Sequence, residues 1–512
     1  MFQLGSVRSI AKRIPLSALA GFVLLAALAI RLDSISSVLP MIQDPDEPRN
    51  DKVALRVAHH MTKSPGFFNY PSLLFYVQAA LARAYEARTG THLEPAQSAS
   101  TGVARTDFPG HWILGRAATA CFGAGIAAFA VLLAGVLSES NLAGLVAGLW
   151  VALSPALVIE SRFITPDTYA AFFAIAAVYG AVLIAAGATW QRFLFAGLMT
   201  GLAAGSKYNL ALVGLAVVVA QLSRDPRRGL LDWRLYFAGT VAVAAFVAYT
   251  PFAILDFGHF RAGLLTEVVH YRTGHAGAEG ASFGFNLRTL WQSERWRWCF
   301  LPLLALLRGG RALRGLATVL GFVIPYFALL STMEVHFARN LTPLIGPLLA
   351  LAAVGLALGA RALPAPGRLA GNPLLPIGVA LALSVQPWLS ILYTIEDRRI
   401  YRSADASRWI AEHIPPGSHL ALEAYAPWVD RNVYKVKNIR LYGELSERER
   451  RLSHQDYVVL SASAYGRFYA DRKTYAAQIE LYETLMRTHC EVIRLGEASA
   501  EFRIFDLHCT PH

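Results

Sequence analysis

Charge and cysteine are scarce in this chain. Only 16% of its 512 residues are Asp, Glu, Lys or Arg, against roughly 25% in soluble domains, which excludes an ordinary soluble globule. Four cysteines, Cys121, Cys299, Cys490 and Cys509, are too few for a disulfide scaffold, and none stands in a CxxC pair that would hold a metal as thiolate. Cys490 and Cys509 can still pair if the tail lies outside the cytoplasm. No HExxH-type spacing occurs among the histidines, so no metal ligand is assigned. The tail has no glycine-rich phosphate loop and no Ser-His-Asp spacing. A cleavage site is lacking too: the opening RSIAKRIPLSALAGFVLLAALAI has the charged and apolar parts of a signal peptide but no small-residue cut site, and reads as an uncleaved first span.

What is abundant is apolar sequence. Hydrophobic residues make up 55% of the chain, and mean hydropathy is +0.40. The pattern is that of a multi-pass membrane protein. The net charge of +12 is then read through the distribution of Lys and Arg among short cytoplasmic loops rather than as a nucleic-acid surface. No nucleic-acid partner is expected.

Arg8, Lys12 and Arg13 precede the span Leu16–Ile30, which puts the amino terminus in the cytoplasm and the next segment outside. The first external loop runs from about residue 33 to 110. Tyr70 to Ala84 is apolar but short of the roughly 20 residues needed to cross, so it is expected to lie in the interface. Further spans are expected at His111–Leu137, Leu142–Ile159, Thr168–Ala188, two short helices within Phe193–Leu222 meeting at Lys207, Leu235–Leu255, Trp296–Leu307, Leu316–Ser331, Leu341–Leu358 and Leu374–Tyr393. With that parity the basic turns around Arg224–Arg228, Arg308–Arg314 and Arg361–Arg368 fall inside. The expected architecture is a polytopic α-helical membrane protein of about 11 transmembrane helices, covering residues 1–395. Residues 396–512 turn soluble in composition and alternate helical patterns (Ala404–His413, Lys473–Thr488) with strand-like runs (His419–Glu423, Tyr457–Leu460, Phe502–Phe505), predicting a small α/β extracytoplasmic accessory domain.

The stretch MIQDPDEPRN places Asp44, Asp46 and Glu47 at the mouth of the first span, where carboxylates are costly unless they meet a cation, water or substrate. A solvated connecting loop would also be acidic at times. On the same parity, Arg162 and Asp167 in ESRFITPD, Lys207 in GSKYN, His270 and Arg272, and His336 and Arg339 in VHFARN converge on the outer face. Asp167 alone would pass for an acidic first turn complementing a helix dipole, and Lys207 for an interfacial snorkelling lysine. Together they supply what displacement of a phosphate needs: cations for the departing anion and a carboxylate for the attacking proton.

The ordered set DPDE, FNYPSLLFY around Tyr70, SPALVIESRFITPD, GLAAGSKYN with Lys207 and Tyr208, and HFARNLTPLIGP resembles the GT-C glycosyltransferases, in the branch of protein O-mannosyltransferases and lipid A aminoarabinose transferases (glycosyltransferase family 39/83-like), over about Leu16–Leu358. The resemblance implies a GT-C fold with interfacial helices in the first loop. It implies an inverting transfer of sugar from a polyprenyl-phosphate donor to a glycan, lipid or protein acceptor, by a multi-pass enzyme of a bacterial inner (plasma) membrane with its site extracytoplasmic. Asp46 takes the role of base, with Asp167 and Glu47 beside it as catalytic residues. Tyr70, Arg162, Lys207, Tyr208, His270, Arg272, His336 and Arg339 are then the substrate-binding candidates. The aminoarabinose transferases carry an acidic residue and a Lys before paired prolines, where this chain has Asn69 and Tyr70 before Pro71-Ser72; no cofactor is assigned, although a divalent cation is compatible. The alternatives are a secondary transporter of an anionic or lipid-linked substrate, which would place its charges near the midplane and show internal repeats, and a scaffold whose tail binds a partner.

Overall fold

The computed structural model describes residues 15–33, 35–42, 44–60, 64–100, 103–294, 310–362, 374–399, 402–450, 452–496 and 501–510. The span expected over Trp296–Leu307 lies outside them, as do Arg8, Lys12, Arg13, Cys299, Arg308 and Arg368.

Helices dominate residues 15–399. Among the described residues, four are long and apolar enough to cross a membrane: Pro109–Ser138, Pro166–Ala186, Leu313–Ser331 and Ala338–Gly359. Shorter apolar helices lie at Leu16–Leu32, Asn141–Ala152, Tyr208–Arg224, Trp233–Tyr249 and Gly378–Leu392. Some spans expected to be continuous are broken for local reasons. Ser154 caps a new helix by accepting the Leu157 amide, with Pro155 in its first turn, so the expected span Leu142–Ile159 becomes Asn141–Ala152 followed by Pro155–Glu160. The break at Lys207 falls where the sequence places it: Trp190–Ser206 ends, Lys207 is extended, and a 3₁₀ segment Tyr208–Val213 leads into Gly214–Arg224.

Pro166–Ala186 is the hub. It is buried on nearly every face, so it is enclosed by other helices instead of facing lipid. That position puts its first-turn Asp167 at the centre of one end of the bundle.

The loop after Leu16–Leu32 is itself ordered. It holds two helices, Glu47–His59 and Leu73–Thr89, and a small antiparallel sheet of Met41–Ile42, Val103–Arg105 and Gln97–Ser100. The second helix covers most of the stretch expected to lie in the interface. Gly90 closes it in a left-handed conformation, φ 70°, which glycine adopts without steric cost.

Residues expected to form a loop between Asp256 and Arg295 are instead largely helical, Phe257–Thr273 and Ser282–Glu294. No residue of Phe257–Thr273 is buried, and its Leu265, Val268 and Val269 are exposed. Its apolar positions follow no clean stripe, and this hid it from a periodicity reading.

The tail from Arg402 builds a five-stranded sheet in the order Lys435–Asn438, His419–Leu422, Tyr457–Ser461, Phe502–Asp506, Cys490–Leu495. The first three strands are parallel and the last two antiparallel. Cys490 and Cys509 form a disulfide. Glu423, fully buried after the second of these strands, accepts the Tyr442 and Ser461 amides and the Tyr482 hydroxyl. Burial pushes its carboxyl up to about 7 despite those donors.

Candidate functional site

Two neighbouring segments carry the acidic cluster to its place. Asp44 Oδ1 accepts the amides of Asp46, at 2.9 Å, and Glu47, at 3.2 Å, starting the helix Glu47–His59 with Pro48 in its first turn. Burial, reinforced by Glu47 and Asp46, pushes the Asp44 carboxyl up to about 7. The adjacent carboxylates then diverge. Asp46 Oδ2 receives Arg339 Nη1 at 2.6 Å. Glu47 turns inward, fully buried, and receives Arg116 through two parallel bonds of 2.9 and 2.7 Å.

Glu47 also fixes the second site segment. Its Oε1 accepts the Ile164 amide at 2.9 Å, while Asn50 donates to the Ile164 carbonyl at 2.8 Å. Both backbone groups of Ile164 are thereby held by one helix turn. From beneath, Arg31 donates to the carbonyls of Ala27, Val151 and Ala152 and to Ser161 Oγ, a cation placed at the carboxyl end of Asn141–Ala152. This crossing needs Gly123, because a Cβ there would stand 2.0 Å from Ser161 Oγ. Arg162, buried, donates to the Ile30 carbonyl at 3.0 Å.

The chain 162–166, held from both sides, delivers Asp167 to Lys207, with Nζ 2.5 Å from Asp167 Oδ1. Lys207 Nζ also donates to Asn340 Oδ1 at 3.1 Å. Asn340 is a junction: its side-chain amide meets the Tyr271 hydroxyl at 3.1 Å, and its carbonyl accepts the Tyr326 hydroxyl at 3.1 Å. Two acid–cation pairs, Asp46–Arg339 and Asp167–Lys207, thus stand on adjoining residues of the segment Arg339-Asn340.

A cavity lies on each side of that segment. One, of about 450 Å³, is lined by Tyr70, Lys207, Tyr208, Glu267, Arg272 and Asn340 with an apolar wall of Leu264, Val268, Leu329 and Met333. The other, of about 370 Å³, is lined by Glu160, Arg339, Thr342, Gln386 and Ser390 among others. Both are of the size ligand pockets take.

The site residues expected from the sequence therefore separate into groups. Asp46, Asp167, Tyr70, Lys207, Tyr208, Arg272 and Arg339 gather at or between the cavities. Tyr208 donates to the Phe68 carbonyl at 3.0 Å. Glu47 and Arg162 are turned into the protein, Glu47 by Arg116 and the Ile164 amide and Arg162 by the Ile30 carbonyl. His270 packs edge-on against Tyr271 and His275, and His336 stacks on Phe285 with ring centroids 3.9 Å apart; neither lines either cavity. His270 is held among aromatic rings near the end of Phe257–Thr273, and His336 lies against Phe285 in the segment after Gly310–Ser331. Asn340, Tyr271, Glu267 and Glu160 were missed. Asn340 had a signal, directly following Arg339 in HFARN.

Glu160 titrates in a useful range. Its exposure is to the cavity it lines, and desolvation, with Asp167 and Asp44 adding to it, pushes its carboxyl up to about 8. At pH 7 it is mostly neutral, and as pH rises through about 8 it gains a negative charge beside Asp167. An anionic ligand should therefore bind less well above pH 8 than at pH 7 in the wild type. Glu160→Gln, which keeps the neutral shape, should flatten that loss in a titration of ligand affinity from pH 6.5 to 9; an unchanged alkaline limb would assign it to another group.

Residues 104–254 match the family model of dolichyl-phosphate-mannose-protein mannosyltransferase. A search of curated proteins finds no match. Among solved structures, the chain is similar to the crystal structure of ArnT from Cupriavidus metallidurans bound to undecaprenyl phosphate, with a TM-score of 0.55 and 16% identity over 97% of this chain and 99% of that one. It is equally similar to the same protein in the apo state, with a TM-score of 0.55 and 17% identity over 97% and 100%. Helical membrane core and small sheet region follow the GT-C arrangement of ArnT. The family match over residues 104–254 and the shared fold agree with the motif resemblance, and the fold is the GT-C membrane fold of ArnT.

Proposed function

We propose that the protein is an inverting glycosyltransferase that moves a sugar from a polyprenyl-phosphate donor to a hydroxyl or phosphate acceptor, on a glycan, lipid or protein, at the outer face of a bacterial inner membrane. The observation that carries this reading is the pairing of Asp46 with Arg339 and of Asp167 with Lys207 on a wall between two cavities. The 450 Å³ cavity suits the donor. Its walls combine Lys207, Arg272 and Tyr70 with Leu264 and Val268, and the exposed Leu265 and Val269 of Phe257–Thr273 beside it would meet a lipid chain. The relative with the same fold was crystallised with undecaprenyl phosphate. The 370 Å³ cavity, with Gln386, Ser390 and Thr342, suits the acceptor. The disulfide in the tail fits an oxidising, extracytoplasmic compartment.

Before donor binds, Asp46 is engaged by Arg339. An arriving phosphate competes for that guanidinium, which has donors to spare, and frees the Asp46 carboxylate to take a proton. The acceptor oxygen then attacks the anomeric carbon as its bond to the phosphate oxygen breaks. The proton passes to Asp46, the polyprenyl phosphate leaves with its charge held by Lys207 and Arg339, and configuration inverts. Glycosyl transfer from a panel of polyprenyl-phosphate sugars into membrane extracts tests this; absence of Asp46-dependent release of polyprenyl phosphate from every donor would overturn it.

Lys207→Ala and Arg339→Ala should each weaken donor binding by roughly 1–3 kcal/mol, the worth of a charge-assisted hydrogen bond. Donor saturation curves measure it, and unchanged curves in both variants would leave these cations a purely structural role.

The tail is proposed to shape acceptor entry. It grips the segment that follows the cavity helix Phe257–Thr273: Arg467 Nη1 meets His275 Nε2 at 3.1 Å, and the Tyr475 hydroxyl bonds Glu279. On the other side Arg105 lies over Trp428, 5.4 Å from the ring centroid. The double variant Arg467→Ala/Tyr475→Phe should raise the acceptor KM severalfold with donor affinity unchanged. A parallel loss of donor affinity would mean that the tail builds the donor site.

A further inference from the structure

Away from both cavities, three side chains of the first loop meet in a way that the glycosyl-transfer reading does not use. His59 ends the helix Glu47–His59, Glu86 lies near the end of Leu73–Thr89, and His92 follows two residues after its Gly90 cap. His59 Nε2 is 2.9 Å and His92 Nδ1 3.4 Å from Glu86 Oε1. One ligand atom from each of the three lies within 4.8 Å of the others. The rings of His59 and His92 are stacked, centroids 4.4 Å apart. We propose that His59, Glu86 and His92 form a binding site for a divalent metal ion of the zinc class.

Two nitrogens and one carboxylate oxygen are a donor set suited to zinc, and ligand bonds of about 2.0–2.2 Å fit inside this triangle with small side-chain movements. A hydrogen-bonded pair would account for His59 and Glu86 alone. It does not account for a second imidazole stacked on the first and aimed at the same carboxylate, an arrangement that two protonated rings would oppose.

The surroundings complete it. The Leu93 amide donates to Glu86 Oε1 at 2.8 Å and fixes the carboxylate. Glu94 Oε1 stands 3.9 Å from His92 Nε2, beyond hydrogen-bond reach but adding negative charge beside the site. Two helices end here, and their carboxyl ends favour a cation. The His92 side chain is 68% exposed, leaving an open approach.

The ion would clip the far ends of two helices whose near ends bear on the cavities, Asp46 at one and Pro71-Ser72 at the other. Its effect is on the stability of the loop and not on the chemical step.

The test uses the full-length, tag-free protein in detergent, stripped with chelator and titrated with Zn²⁺ alone in competition with a chromophoric chelator. Co²⁺ in place of Zn²⁺ gives a visible spectrum that reports its coordination. The wild type should bind one equivalent, show a tetrahedral-type Co²⁺ band, and melt at a higher temperature with Zn²⁺. His92→Ala, at an exposed position where folding is little at risk, should lower the affinity at least about tenfold, a loss on the scale of a disrupted metal site, and should abolish both the band and the thermal gain; Glu86→Gln should behave alike. His60→Ala, the neighbouring histidine, should keep all three. No stoichiometric binding in the wild type, or binding and spectrum unchanged in His92→Ala and Glu86→Gln, would overturn the site. Neither result depends on sugar transfer.

Discussion

Asp46→Asn should reduce sugar transfer by roughly a hundred- to ten-thousand-fold, the range for removing a positioned base, in a protein that still inserts and binds donor. The amide keeps the shape of the carboxylate but cannot take the acceptor proton, and it loses the charge opposite Arg339. Donor affinity should hold or rise slightly, because Arg339 no longer has to leave an anionic partner to reach the phosphate. Asp46→Glu should recover part of the rate. Single-turnover transfer with preloaded donor separates the two effects. Wild-type turnover by Asp46→Asn would remove the base assignment, and a loss confined to donor affinity would make Asp46 a partner of Arg339 only.

The second large effect concerns the residue next door. Glu47 reads from the sequence as a further member of the catalytic set. Its buried pairing with Arg116 and the Ile164 amide changes that expectation. Arg116→Ala leaves an uncompensated buried carboxylate and should cost about 3–5 kcal/mol, with Glu47→Ala costing a similar amount from the other side. The measurable outcome is a large drop in the unfolding midpoint of the detergent-solubilised protein. Replacing both, Glu47→Gln with Arg116→Met, should restore much of the loss, since it leaves no buried charge. If Glu47→Gln alone keeps stability but abolishes turnover, Glu47 belongs to the chemistry after all.

Much of the architecture was legible for a simple reason. A bilayer demands apolar helices of set length, so hydropathy located most of the described apolar helices within a few residues, four of them long enough to cross, and the Lys207 break showed as a run too long for one crossing. The tail strands at His419, Tyr457 and Phe502 showed because buried strands are short apolar runs between turns. Strands Lys435–Asn438 and Cys490–Leu495 did not, since they lie at the two edges of the sheet and are largely exposed, with mixed polar sequence. The helix Phe257–Thr273 escaped for a related reason: it buries no face, so no stripe marks it.

The sequence by itself determined the class of protein, a multi-pass helical chain with acids and bases gathered at loop mouths, because the cost of burying charge in hydrocarbon restricts where such residues can stand. Only the tertiary structure decided which of them work together. Asp46 and Glu47 are adjacent in the chain and identical in charge, yet the helix that starts between them sends one to Arg339 and the other to Arg116. Arg162 and Lys207 both read as phosphate ligands, and packing against the Ile30 carbonyl took the first while the end of the hub helix claimed the second. The His59, Glu86 and His92 cluster has no motif, since its members come from the ends of two helices that meet only when the loop folds. Partnership between side chains is set by where helices end and cross, and local sequence carries no record of that.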